Sequence, residues 1–182
     1  MIRHACRPYT RGLTLLELLV TLIVLLTVVT VGIPAFSQLV ERTRLITATN
    51  EFVTALHHAR SEAVHSARPV TLCVSVDGQQ CADTGTWEAG WLVFRNPDLA
   101  TQPAHPDDVL RSRRGPFGRG VEIRGNTPVR QRITYAPLGH TRRLSGALQM
   151  GTLRLCNGER GRAIIINRAG RPRLASEPCT PS

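Results

Sequence analysis

From Leu13 to Phe36 the chain reads LTLLELLVTLIVLLTVVTVGIPAF, twenty-four residues carrying one charge, Glu17. Roughly 20 apolar residues at about 1.5 Å each cross the hydrocarbon of a bilayer, so this stretch predicts a spanning helix. Beyond it the apolar positions thin out to Leu45, Ala48, Phe52, Leu56, Ala59 and Ala63, three or four apart. That period predicts an amphipathic helix whose stripe packs on a later part of the chain. Pro34 removes a backbone donor and crowds the preceding turn, so a kink is expected there. The helical pattern should stop near Ser66, before Arg68-Pro69. One element from about Leu13 to about Ser66 then serves as both anchor and spine.

After Pro69 the period falls to 2. VTLCVSV (70–76) alternates and is β-branched, Asp77-Gly78 is a turn signal, and WEAGWLVFR (87–95) reads as a second strand. NPDLATQPAHPD (96–107) reads as a loop. Short strands are expected around 108–113, 120–124, 130–136, 144–156, 162–168 and 171–175, between turns bearing Gly, Pro or Asn. The predicted class is α+β: a long kinked N-terminal helix, half transmembrane and half amphipathic, with a C-terminal sandwich or curled sheet of short antiparallel strands resting on it.

The chain has 182 residues, and 42% are apolar, which excludes a disordered polymer. All 23 basic residues are Arg, a bias whose plainest source is the codon habit of a GC-rich genome. Their distribution says more. Residues 13–110 hold five Arg against ten acids, whereas residues 111–173 hold fifteen Arg against Glu122 and Glu159 alone. Such asymmetry points to a polyanion, nucleic acid or lipid head groups, as partner of the C-terminal half.

Arg3, Arg7 and Arg11 precede the apolar run and none interrupts it, which orients the N-terminus to the cytoplasm. The small-x-small cleavage site of a secretory signal fits V-G-I-P-A-F-S-Q poorly. Glu17, at the start of a span, asks for a partner. Gly12-Leu13-Thr14-Leu15-Leu16-Glu17 resembles the prepilin signature of type IV pilins and type II secretion pseudopilins. The resemblance implies that a prepilin peptidase cuts between Gly12 and Leu13 and N-methylates Leu13. It also implies that Glu17, then the fifth residue, meets the N-terminal amine of a neighbouring subunit during assembly. An ion pair in hydrocarbon relieves two desolvation penalties and rewards only the correct axial register. Leu13 departs from the Phe that most members carry.

The resemblance narrows with Asn50-Glu51-Phe52, Ala59-Arg60-Ser61-Glu62-Ala63, Pro69-Val70-Thr71-Leu72-Cys73 and Gly90-Trp91-Leu92-Val93-Phe94, which are similar to the GspH/FimT group of minor pilins. That group implies a type IV pilin-like fold, with a β-sandwich on the long helix, and neither catalytic activity nor a cofactor. It implies a leader at 1–12, an assembly helix at 13–36, an amphipathic helix at 37–66 and a β domain at 67–182. GspH-type members belong to secretion pseudopili. FimT-type members are minor pilins, some of which bind DNA through a basic C-terminal Gly-Arg-x-Arg segment. Gly170-Arg171-Pro172-Arg173 matches that segment, with Arg168 just upstream. The implied partners are double-stranded DNA, taken up in natural transformation, other pilins, prepilin peptidase and the inner membrane.

Gly170 and Pro172 suit a turn, which would present the guanidiniums of Arg168, Arg171 and Arg173 to phosphate oxygens. Arg160, Arg162, Arg142 and Arg143 would widen this patch if the strands bring them alongside. With no recognition helix and few aromatics, the expected mode is backbone binding that is sequence-tolerant and salt-sensitive. Arg111, Arg113, Arg114, Arg119 and Arg124 form a second basic run, for DNA or for an acidic neighbour such as loop 96–108 of another subunit.

Cys6 leaves with the leader, and Cys73, Cys81, Cys156 and Cys179 allow three pairings in an oxidising compartment. Of these, Cys73–Cys81 would tie the Asp77-Gly78 hairpin, and Cys156–Cys179 would pin the arginine loop. The cysteine spacing does not suit zinc. His58, Glu62 and His65 share a helix face, read as solvated rather than metal-binding, and no catalytic motif occurs. Two other readings compete with DNA binding: a structural pseudopilin of type II secretion, and a module for anionic membrane surfaces.

Overall fold

The computed structural model describes residues 12, 14–116 and 120–179. The leader arginines and Cys6, Leu13 of the cleavage site, and Arg119 lie outside the described residues. Helix α1 spans Leu15–His65 and continues through Pro34. It opens with the Glu17 amide donating to the Thr14 hydroxyl at 3.3 Å, which satisfies one of the bare N–H groups of the first turn.

The chain forms two compact units that divide between Val40 and Glu41. In the first, every described side chain from Leu15 to Leu39 is exposed, and this helix is long and apolar enough to cross a membrane. Its hydroxyls turn back on their own backbone. Thr21 donates to Leu18 O at 2.8 Å, Thr27 to Val24 O at 2.8 Å and Thr30 to Leu26 O at 2.9 Å. A helix bare of protein contacts thereby keeps its polar groups satisfied internally, as hydrocarbon requires.

In the second unit the stripe Leu45, Ala48, Phe52, Leu56, Ala59 and Ala63 is buried, joined by Thr49 and Ala55. Among the described residues nine strands follow: β1 Val70–Val74, β2 Gly90–Arg95, β3 Val109–Arg114, β4 Glu122–Gly125, β5 Arg132–Tyr135, β6 Thr141–Arg142, β7 Gly151–Asn157, β8 Arg160–Ile166 and β9 Pro172–Ser176. They build two antiparallel sheets, β3-β2-β1-β5-β6 and β4-β7-β8-β9. One core joins the helix stripe to both, through Val70, Leu72 and Ile133 of the first and Leu153, Leu155 and Ile164 of the second. At its centre Phe52 meets Trp87 edge-on, ring centres 5.2 Å apart, and Trp87 Nε1 donates to Val129 O at 3.0 Å.

Three expectations are corrected. β1 does not alternate between core and solvent, since all five of its residues are buried. Its far face carries Cys73, which packs with Cys81, Leu92 and Phe94 in a small second cluster. The chain after β2 covers part of that face, where Asn96 Nδ2 donates to the Thr71 hydroxyl at 2.9 Å and to Ala100 O at 2.8 Å. Residues 87–89 form a 3-10 turn rather than the start of a strand. The expected strand at 144–156 begins only at Gly151. Ahead of it Gly146 N closes a turn on Arg143 O at 2.9 Å, and β5, paired with β1 on one side, takes the two-residue β6 on the other.

Candidate nucleic-acid interface

The hairpin joining β8 to β9 carries the Gly-Arg-Pro-Arg segment. Its ladder ends at Ile166 opposite Pro172, and Gly170 N donates to Asn167 O at 2.9 Å. The Asn167 carboxamide oxygen accepts from Ala169 N at 3.1 Å and Arg171 N at 3.0 Å, bracketing the turn from within. Gly170 sits at φ +71°, a left-handed conformation that glycine adopts without strain. It is also packed. A side chain here would strike the Gly139 carbonyl oxygen and come within 3.1 Å of the Tyr135 ring.

Gly139 belongs to the turn between β5 and β6, and its carbonyl accepts from Arg60 Nε of α1 at 2.9 Å. Helix, first sheet and second sheet therefore meet at one peptide group. Beneath it the buried Tyr135 phenol is pushed above its ordinary pKa by desolvation, which outweighs the opposing pull of the Arg60 guanidinium.

Around this fastened turn Arg168, Arg171 and Arg173 are exposed. Among the described residues, no carboxylate pairs with any of them. Register places Arg173 opposite Ile165, on the face of the second sheet turned away from the core. Other arginines are engaged within the subunit: Arg95 with Glu62 at 3.3 Å, Arg113 with Glu51 at 2.9 Å, Arg124 with Glu122 at 3.0 Å, Arg132 with Asp83 at 2.9 Å and Arg154 with Glu177 at 2.8 Å. The second basic run is thus partly spent at home. Arg113 binds a carboxylate of α1 and Arg124 one of its own strand, while Arg111 and Arg114 stay exposed on β3.

Arg160 and Arg162 are not brought to the turn. Arg162 pairs with Ser176, four register steps from the Ile166–Pro172 pair, or about 13 Å at roughly 3.3 Å per residue. These two line an open groove of about 500 Å³ with Arg42, Leu45 and Ile46 instead. Arg142 and Arg143 are better placed. They follow His140, whose Cα lies 3.1 Å from where a Gly170 side chain would begin.

Both disulfides join residues near in sequence. Cys73 bonds Cys81 (Cα–Cα 5.6 Å), and Cys156 bonds Cys179 (Cα–Cα 5.9 Å). Within the first loop the amides of Gln80 and Gln79 hold the Asp77 carboxyl below its ordinary pKa. The second bridge lies at the open end of the β8–β9 hairpin, not beside the arginine turn. Gly161 leaves room for it, since a side chain there would strike Cys179 Sγ. Glu62, on the helix face with His58 and His65, is taken by Arg95. Gly12 and Glu17 are exposed at the start of the helix. The importance of Arg60 and Asn167 was not readable from spacing, because their partners are fixed only by the folded turns.

A bare apolar helix that continues into the spine of a two-sheet β domain defines a subunit of the type IV pilin class. The chain belongs to the GspH family, whose model, described as Type II transport protein GspH, matches residues 48–170. It is a GspH/FimT-like minor type IV pilin. The fold is similar to that of the type IV minor pilin FimU of Pseudomonas aeruginosa in two crystal forms. One has a TM-score of 0.56 at 23% identity over 76% of this chain and 91% of that chain. The other has a TM-score of 0.51 at 22% identity over 72% and 91%. The minor pseudopilin EpsH from the Type 2 Secretion System of Vibrio cholerae has a TM-score of 0.46 at 15% identity over 72% and 94%. Comparison with curated proteins gives no match. Family membership implies assembly with other pilins in a filament, and the apolar helix indicates a membrane-anchored subunit. The family is structural and is not known for catalysis.

Proposed function

We propose that this chain is a prepilin cut by prepilin peptidase between Gly12 and Leu13, N-methylated at Leu13, and assembled into a type IV pilus. Residues 13–36 hold it in the inner membrane before assembly, with the domain formed by 37–66 and 67–182 in the periplasm. Glu17 pairs with the N-terminal amine of a neighbouring subunit. In the filament, Arg168, Arg171 and Arg173 around Gly170 bind extracellular double-stranded DNA without sequence preference, for uptake in natural transformation.

The observation that carries this reading is the contrast in charge pairing. Carboxylates engage Arg95, Arg113, Arg124, Arg132 and Arg154. The three arginines of a turn braced by Asn167 and packed on Gly139 meet none among the described residues. Pre-ordered guanidinium forks lose little entropy on meeting phosphates. Display of several copies would add avidity to weak single sites.

The test is duplex DNA binding by the full chain in neutral-detergent micelles at two salt concentrations, wild type against R168Q/R171Q/R173Q. The expected result is steeply salt-dependent binding by the wild type, with the slope of log K against log salt reduced by about 3 in the variant. Equal binding by a folded variant overturns the assignment of these residues. The family match favours a second reading, a structural pseudopilin of type II secretion. Absence of DNA binding at low salt, with a stable complex formed with other minor pilins, would establish it instead.

A further inference from the structure

A second group of arginines converges in a pocket built from the stretch 127–149. Residues 127–128, 130–132, 134, 143–144 and 149 surround about 300 Å³ of open space, lined by Arg130, Arg132 and Arg143 with Thr127. No carboxylate lines it among the described residues.

Its floor is fixed by Gln149, which is 3% exposed. Gln149 Nε2 donates to Pro128 O at 2.6 Å and Arg132 O at 2.8 Å, and Oε1 accepts from Thr134 N at 3.1 Å. One side chain therefore clamps the walls together, and the Val129 carbonyl between them is held by Trp87. The pocket is pre-formed rather than assembled by its occupant.

The walls are rich in donors and short of acceptors. Arg132 Nε is sealed from solvent and has no hydrogen-bond partner among the described residues, although the same guanidinium reaches Asp83 through Nη2 at 2.9 Å. The Nε nitrogen is closed off from the open space, so the donors an occupant can reach are those of Arg130, Arg143 and Thr127. Arg130 and Arg143 are exposed and pair with no carboxylate among the described residues. Two unneutralised guanidiniums, Arg130 and Arg143, and the exposed Thr127 hydroxyl together fit a tetrahedral oxyanion, which offers acceptors in several directions and negative charge.

We infer that this pocket binds a phosphate group, either a phosphodiester of a polynucleotide or a free phosphate ion. The site shares no residue with the hairpin turn and stands whether or not that turn binds DNA. Arg143 does lie beside Arg142 on β6, the strand that leads from His140 under Gly170. A duplex touching both sites would run along the β6 edge, not along β8.

The test uses the full chain in neutral-detergent micelles, titrated with inorganic phosphate at constant ionic strength made up with chloride. Tryptophan fluorescence follows thermal unfolding, since Trp87 bonds the pocket wall. At ten times Kd the melting temperature should rise by about 3 °C. The rise should appear in the wild type and in R168Q/R171Q/R173Q and be lost in R130Q/R143Q, whose folding is checked by its melt in chloride alone. No rise in the wild type, or an equal rise in R130Q/R143Q, overturns the inference. A second arm compares duplex DNA binding by wild type and R130Q/R143Q. A salt slope lower by about 2 in the variant makes DNA the source of the phosphate. Unchanged DNA binding beside a lost phosphate response makes it the free ion.

Discussion

Arginines on the seam between α1 and the first sheet behave unlike those around the β8–β9 turn. Arg95 of β2 and Arg113 of β3 each reach a carboxylate of the helix, Glu62 and Glu51. Arg168, Arg171 and Arg173 meet solvent. The two groups hold two and three of the 23 arginines, yet only the second leaves its charge available to a partner. Basic composition locates the half of the chain where a polyanion would bind, and the internal pairing decides which arginines are left to do it. The seam arginines have a structural task that a genome-wide preference for Arg does not explain. The turn that carries Arg168, Arg171 and Arg173 has a backbone held by Asn167 and packed on Gly139.

The sharpest way to break this contrast is at the peptide group where the two regions touch. Gly170→Val brings a β-branched side chain to a left-handed backbone and drives it into the Gly139 carbonyl. A loss of about 3 kcal/mol in urea unfolding is expected, together with loss of any DNA binding that depends on the turn. An unchanged urea midpoint would show that the two turns do not need their close fit. Arg60→Ala removes the part-buried charged donor from Gly139 and should cost about 2 kcal/mol, measured the same way. Retained stability would mean that the β5–β6 turn holds itself. The smallest effect belongs to the seam. Glu62→Gln breaks a pair whose side chains are 22% and 42% exposed, and a loss under about 1 kcal/mol is expected. A larger loss would give Arg95 a weight that its exposure does not predict.

The stripe from Leu45 to Ala63 was legible because a helix facing one core repeats every three to four residues. The hairpin at 167–171 was legible because Gly and Pro punctuate it. The double burial of β1 was not, since the segments that cover its far face, around Cys81 and Asn96, come later in the chain. Nor was the turn at 143–146, where local sequence suits a strand but the Gln149 side chain ties the following segment to Pro128, Arg132 and Thr134. The same limit applies to the site. The sequence names Arg168, Arg171 and Arg173 through a motif, and it offers Arg160 only on condition that the strands bring it alongside. A strand running away from the turn leaves that condition unmet. The pocket at Arg130, Arg132 and Arg143 is the reverse case, arginines that no motif groups and that the Gln149 clamp brings together.

Load applied at Arg168 runs into two strands of unequal security. β8 is held on both sides, whereas β9 is an edge strand fastened by five register pairs on one side only. Tension on an edge strand peels its hydrogen bonds one after another rather than breaking them together. The Cys156–Cys179 bond closes residues 156–179 into a covalent ring around that hairpin, so peeling has a stop that hydrogen bonds do not supply. Beyond that stop the pull passes into β7, which lies between β4 and β8. A tether caught at the tip is thus anchored through an interior strand, and the weakest edge of the sheet need not carry it alone.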